Sequence, residues 1–325
     1  MLAAARAGLK ARRQAQPQGG ISNSAGADGS APAGFSSLGA DSGGLRPRTC
    51  FMRALCCLLW LILCASALHA QERRPSHCIA LAQETPGLNY LHKASWQDPV
   101  AADSVLIRYI AHASFLLRTE GGLNVVTDFT GFTGAAPLIP DVVTMNHAHE
   151  THWTAHPDPA IPHVLQGWGP FGAGIDHHLD LGEMLIRNVS TDIRNMFGGV
   201  EERGNSIFVF EAAGLCIGHL GHLHHVPTPQ QYAALGRLDV VMAAVDGGIT
   251  LPLDQMLEVL GRLRSSVIIP MHWFSDYSLD RFLSQVGPEF DVVDDGSSTL
   301  TISLRSLPSR PTIHVLRPRY LVEDE

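Results

Sequence analysis

A chain of 325 residues with 45% hydrophobic side chains, 17% charged side chains and a mean hydropathy of +0.08 is globular in composition, which excludes a fibrous or wholly disordered protein. The formal net charge is −8; seven basic and two acidic residues precede residue 71, leaving 16 basic against 29 acidic side chains beyond it and a net charge of −13. That balance argues against nucleic acid as a partner, because binding there rests on Lys and Arg neutralising phosphates.

Residues 1–51 are rich in Ala, Gly, Ser and Gln, hold few large apolar side chains, and read as disordered or as an over-extended start. Residues 52–70 have the layout of a secretory signal: Arg53, an apolar run from Ala54 to about Leu68, then small residues, with cleavage expected after Ala67 or Ala70. The run is too short for a comfortable membrane span. The mature chain is therefore expected to be exported, periplasmic or secreted, with no stable span after cleavage. Residues 71–103, broken by Pro75, Pro86, Gly87 and Pro99, read as an N-terminal arm. The leader takes four of the six cysteines with it; Cys78 and Cys216 either form one disulfide or stay as two buried thiols.

Residues 104–325 read as one α/β domain. The runs VLIRYI, SFLLRT and LNVVTDF are short strand candidates separated by AHA and by EGG, the latter a hairpin turn. DVVTMNH is a further strand that runs into a histidine cluster, and EMLIRNV, SIFVFEA, LCIGHL, LDVVMAAV and SVIIPMHW follow. Between them TPQQYAALGRL, with Thr228 as N-cap, and LPLDQMLEVLGRL carry apolar residues at helical spacing. Hairpins first and alternating strands and helices later predict a layered α/β sandwich.

Eleven of the 17 histidines fall between His147 and His225. His147 and His149 stand two apart at a strand end, where a period of two puts both on one face, and His152 follows. GHLGHLHH supplies His219, His222, His224 and His225, and IPMHW supplies His272. Imidazoles presented by several strand-terminal loops are what a metal site needs, because ligands from separate elements must converge on one ion. His219 lies on its strand and can instead point into a neighbouring layer. His92, His163 and His314 stand alone in sequence and read as ordinary surface or hydrogen-bonded residues. His156, His177 and His178 sit in Pro- and Gly-rich loops and are read the same way. Trp168, Phe171 and Phe197 are aromatic candidates for a pocket wall, packing being the commoner fate of such side chains. The metalloprotease pattern His-Glu-x-x-His fails at Trp153, and neither a nucleophilic serine elbow nor a phosphate-cradling Gly-rich loop occurs.

RYIAHASFLLRTEGGLNVVTDF, VVTMNHAHETH, LCIGHLGHLHHVPT, LDVVMAAVDGG and VIIPMHW, in this order over about residues 104–285, resemble the blocks of the metallo-β-lactamase superfamily, and within it the branch similar to L-ascorbate-6-phosphate lactonase. The resemblance implies a four-layer αββα sandwich with metals at one edge of two packed sheets. The family motif His-x-His-x-Asp-His appears as His147-Ala148-His149-Glu150-Thr151-His152, with threonine in place of aspartate. The block whose aspartate bridges two metals reads Leu220-Gly221-His222. Asp192 stands near the place of another expected imidazole. By this resemblance His147, His149, His152 and His272 are metal ligands and His112 and Asp128 the flanking, orienting residues; His222 and Asp192 are read as ligands standing in for the missing family groups, and Asp246, at a strand end, either restores a catalytic carboxylate or is only a turn residue. The expected cofactor is zinc, one or two ions, with iron or another divalent metal as the alternative; fewer carboxylates favour one tightly held ion. The implied activity is an exported metal-dependent hydrolase that turns a metal-bound hydroxide on a small-molecule ester, lactone, amide or phosphoester. The alternative is a non-catalytic metal- or ligand-binding protein on the same scaffold. Nuclease activity, known in other branches, fits poorly with the acidic charge.

Overall fold

The computed structural model describes residues 73–80, 97–170, 172–194 and 198–323. The expected leader, residues 52–70, lies outside the described residues, as do residues 1–51, His92, Phe171 and Phe197. Among the described residues no helix is long and apolar enough to cross a membrane.

The apolar runs become strands wherever burial is possible on both faces. β1 (Ser104–Ala111) and β2 (Ser114–Thr119) form an antiparallel hairpin across His112 and Ala113. β2 returns into β3 (Asn124–Val126) through EGG, where Gly122 takes φ 93° and its N–H donates to the Thr119 carbonyl. β4 (Val142–Met145) and β5 (His163–Gln166) add in parallel, and β13 (Thr299–Ser303) closes the other side of β1, giving the order β13-β1-β2-β3-β4-β5.

The second sheet begins as an antiparallel meander of β6 (His178–Asp180), β7 (Met184–Arg194), β8 (Val200–Ala212) and β9 (Leu215–His219). It continues in parallel through β10 (Val240–Ala244), β11 (Val267–Met271), β14 (Thr312–His314) and β12 (Asp291–Val293). Parallel strands need crossovers, and helices supply them here. α2 (Pro229–Leu235) starts with a capping box: Thr228 Oγ1 accepts from Gln231 N at 3.2 Å and Gln231 Oε1 accepts from Thr228 N at 2.7 Å. α3 (Leu253–Leu263) buries Leu253, Met256, Val259 and Leu260, an i, i+3, i+6, i+7 stripe. α4 (Asp276–Leu283), which the sequence reading did not name, buries Leu279 and Phe282 in the same way.

The two sheets pack face to face. Val105, Ile107, Phe115 and Leu117 of the first meet Phe208, Phe210, Ile217, Met242 and Ile269 of the second in one buried cluster. The outer face of the second sheet, Val209, Val241 and Ala243 among others, is covered by α2, α3 and α4. Over the first sheet the described covering is loop and C-terminal chain: Phe129, Ala136, Ile161 and Leu321 shield Ile110, Leu116, Val143 and Met145. The sandwich is thus of the expected α/β kind, with its fourth layer built from irregular segments among the described residues.

Part of the predicted arm is packed structure. α1 (His77–Ala80) is tied to β9 by a Cys78–Cys216 disulfide with Cα atoms 5.8 Å apart, which decides between the two readings of that pair. Beside it Glu211 receives Ser76 Oγ at 2.5 Å, His77 N at 3.1 Å and Arg187 Nε at 2.8 Å. The Arg187 guanidinium also donates to the carbonyls of Ala234 and Leu235 at the end of α2.

Candidate metal centre

Every residue of the site follows a strand. His112 sits in the β1–β2 turn, Asp128 beyond β3, His149 and His152 beyond β4, His222 beyond β9, Asp246 beyond β10 and His272 at the end of β11. Carboxyl ends of parallel strands leave backbone groups and side chains facing a common crevice, and here the crevice lies between the two sheets. His112, Asp128 and His272 adopt φ of 49°, 41° and 58°, a left-handed backbone that is uncommon outside glycine. The His112 carbonyl accepts from His272 N at 2.8 Å and from Tyr109 Oη at 2.6 Å, so the first sheet's hairpin and the end of β11 are pinned at one atom. Burial holds the Tyr109 hydroxyl well above its ordinary pKa, keeping it a donor.

Ligand nitrogens of His112, His149, His152 and His272 all lie within 4.8 Å of one another. His222 Nε2 stands 3.0 Å from His149 Nε2. Nε2 of His112, His152 and His272 and Nδ1 of His222 are buried without a hydrogen-bond partner. Buried polar atoms are nearly always paired, so the orphaned nitrogens of His112, His152 and His272, three rings of one tight group, are the signature of a cation site.

Behind the ring of nitrogens stands a second set of groups. His152 Nδ1 is 2.5 Å from Asp128 Oδ2, and Asp128 Oδ1 accepts from Asn146 Nδ2 at 2.8 Å. Thr151 Oγ1 is 2.7 Å from His149 Nδ1. Asp246 Oδ1 lies 3.1 Å from His272 Nδ1, close but out of line for a full hydrogen bond. Asp246 is also the centre of its own turn, its Oδ2 accepting from the N–H groups of Gly248, Ile249 and Thr250 and its Oδ1 from the Thr250 hydroxyl. Asp246 is thus a turn residue whose approach to the site is to the back of His272.

Burial, reinforced by neighbouring imidazoles, lowers the pKa of His112 to about 3 and pushes His149, His152 and His222 down as well; His224 falls to about 4 through burial and the nearby Arg194. These rings are neutral at pH 7, the state in which imidazole binds metal. Burial raises Asp128 to about 6 against the pull of His219 and the Asn146 hydrogen bond. At pH 7 Asp128 is ionised and His152 neutral, so His152 Nδ1–H donates to the carboxylate and its Nε2 lone pair faces the cluster. Asp246 is driven below the usual carboxylate range, burial being outweighed by His272 and by the Thr250 hydrogen bonds.

Two of the sequence-predicted ligands stand elsewhere. His147 Nδ1 is 3.0 Å from Glu201 Oε1 and its ring stacks on Trp168 at 4.8 Å; the two-residue spacing that made it a partner of His149 breaks down because residues 146–151 form a turn, where strand alternation does not apply. Asp192, near the end of β7, accepts from Arg203 N at 2.8 Å and belongs to the β7–β8 ribbon. His219 is held at both nitrogens, by the Ala113 carbonyl and Gly221 N.

Three supporting residues escaped the sequence reading. Asn146, fully buried, bonds Asp128 and accepts from Ser206 N at 2.8 Å, bridging the sheets; a polar residue closing an apolar run was its only signal. Asn205 Oδ1 accepts from His222 N at 3.0 Å. Arg194 donates to the carbonyls of Ile249 and Thr250, both at 2.8 Å, and so braces the Asp246 turn from its other side. Gly221, at φ 60°, is required because a Cβ there would fall 2.5 Å from Asn146 Nδ2 and 2.7 Å from Asn205 Oδ1.

Residues 106–272 match the family model described as "Beta-lactamase superfamily domain". No curated protein matches the chain. Among solved structures, a protein of the metallo-β-lactamase superfamily from Thermotoga maritima is 27% identical with a TM-score of 0.47, covering 65% of this chain and 98% of that one. Igni18, a metallo hydrolase from Ignicoccus hospitalis, is 18% identical with a TM-score of 0.44, covering 62% and 99%. The metallo-β-lactamase fold protein YhfI from Bacillus subtilis is 9% identical with a TM-score of 0.42, covering 67% and 99%. With the matched segment spanning just over half of its length, the chain belongs to the β-lactamase superfamily and carries the metallo-β-lactamase fold.

Proposed function

We propose that this protein is an exported metal-dependent hydrolase acting on a small ester, lactone, amide or phosphoester, in the branch of the superfamily that resembles L-ascorbate-6-phosphate lactonase. The observation that carries the reading is the set of buried imidazole nitrogens without partners, converging from both sheets. Such donors fit zinc or another nitrogen-preferring divalent ion. His149, His152 and His272 would hold it, with His112 or His222 completing the set. An ion bound there supplies Lewis acidity and lowers the pKa of a coordinated water toward 7.

The chain's own residues do the remaining work. Asp128 and Asp246 hold the Nδ1 sides of His152 and His272, and the Thr151 hydroxyl does the same for His149, which fixes how each ring faces the crevice. Whichever of His112 and His222 is not a ligand is neutral at pH 7 and leaves an unpartnered nitrogen in the site. Phe274 lies against the rings of His112 and His272 at 5.3 and 5.1 Å and is itself exposed, an apolar wall at the mouth of the site. The Cys78–Cys216 bridge supports an oxidising compartment, in keeping with export.

The test is metal content by elemental analysis together with hydrolysis of a panel of esters, lactones, amides and phosphoesters. Wild-type protein and His147→Ala are expected to retain metal and chelator-sensitive turnover, while His152→Ala and His272→Ala lose both. Metal-replete wild type that turns over no member of the panel would leave a binding protein; wild type that takes no metal when offered zinc would remove the hydrolase reading itself.

A further inference from the structure

We infer that this site is built for a single divalent ion held by neutral imidazoles alone, and that it discriminates against magnesium, calcium and manganese. The inference rests on the metal-site reading above and adds its nuclearity and selectivity.

The tight ligand group contains four imidazoles and no carboxylate oxygen. Four acidic residues nearby are engaged away from the centre. Asp128 has one oxygen on His152 and the other on Asn146. Asp246 receives three backbone N–H groups and the Thr250 hydroxyl, with its remaining reach toward the back of His272. Glu201 faces His147, and Asp192 faces Arg203 N. Where a second ion would need a ligand from position 151, the threonine hydroxyl is turned to His149 Nδ1. Where it would need one from position 147, the imidazole is stacked on Trp168.

Paired catalytic ions sit roughly 3.5–4 Å apart. Two dications at that distance repel strongly, and only anionic ligands between or around them offset the repulsion. Here position 222, which the family resemblance makes a bridging carboxylate, is an imidazole whose Nε2 lies 3.0 Å from that of His149. A neutral ring adds no negative charge, so the site stabilises one ion and disfavours a second. The same chemistry sets selectivity, since magnesium, calcium and manganese favour oxygen ligands while zinc, copper and nickel accept imidazole. A lone ion among neutral ligands keeps its full double charge, which suits substrates whose reacting group carries or develops negative charge on oxygen.

The deciding experiment is calorimetric titration of chelator-stripped full-length protein with zinc, magnesium and manganese, with bound metal counted by elemental analysis after desalting. One equivalent of zinc, with magnesium and manganese binding at least 100-fold more weakly, is the expected result. Two equivalents of zinc, or magnesium binding comparable to zinc, would overturn this inference and leave the metal-site reading standing; no binding of any ion would overturn both. A Thr151→Asp, His222→Asp double variant, shown folded by circular dichroism, should take a second equivalent. If it stays at one, carboxylate loss is not what sets the nuclearity.

Discussion

Two buried polar clusters in this molecule contrast sharply. Around Glu211 the donors and acceptors meet: Ser76, His77 and Arg187 reach its two oxygens, and Arg187 finds two further carbonyls. Around His152 and His272 the outer nitrogens face carboxylates, hydrogen-bonded at His152 and only within 3.1 Å at His272, while the inner ones are left without partners. A cluster that serves only the fold has reason to satisfy every atom, because each orphan costs about 1–3 kcal/mol. One that keeps orphans carries that cost for something not made of protein. The difference separates structural polarity from functional polarity without reference to any relative.

The contrast can be broken most forcefully on the structural side. Glu211→Ala strands the buried Arg187 guanidinium and should cost about 3–5 kcal/mol of stability in denaturant unfolding, with metal content per folded molecule unchanged. Burial works against Glu211 ionising, yet the Ser76 and Arg187 hydrogen bonds bring its pKa below the usual value. On the functional side, Asp128→Asn should leave the fold nearly intact but weaken metal binding by roughly 10–100-fold, about 1.4–2.7 kcal/mol, as read by competition with a chromogenic chelator. Equal effects of the two substitutions on stability and on metal would erase the distinction.

The smallest effect, counted per ring and per pH unit, is a slope in stability. His152 and His222 have folded pKa values below the unfolded value near 6.5, so below that pH the unfolded chain binds protons that the metal-free fold refuses. Stability of the stripped protein should therefore fall as pH drops below about 6.5, by about 1.4 kcal/mol per pH unit for each ring fully neutral in the fold. Asp128, raised to about 6, acts in the opposite direction between about 4 and 6, a single group against several. Zinc at saturation should flatten the slope near neutrality, because metal and proton compete for the same nitrogens. A stripped protein whose urea midpoint is flat from pH 7 to 5 would contradict the burial of neutral rings.

The sequence made β1 to β4, β7 to β11 and the crossover helices α2 and α3 visible, because each is an apolar run or stripe bounded by turn residues. It hid β5, β6 and β12, which are three- or four-residue strands at sheet edges with few buried positions. At the site, His149, His152, His222 and His272 stood out as imidazoles after strands. What could not be read was direction. His147 shares a motif with His149 yet faces Glu201, since a turn beyond β4 breaks the alternation that strand geometry would enforce. Thr151 looked like a loss, and only the folded chain places its hydroxyl on His149. Asn146, Asn205 and Arg194 act through partners 17 to 60 residues away, a link no local pattern encodes.

His112, Asp128 and His272 share left-handed backbone at the centre of the site, a conformation costing roughly 1–2 kcal/mol per residue that glycine would adopt freely. At these three positions the polypeptide forgoes the residue its backbone would prefer in order to keep a side chain. Selection for thermostability alone would erode the site toward glycine, so His112→Gly should yield a protein harder to unfold and poorer at its task. The crevice thus marks where durability and activity pull the sequence in opposite directions.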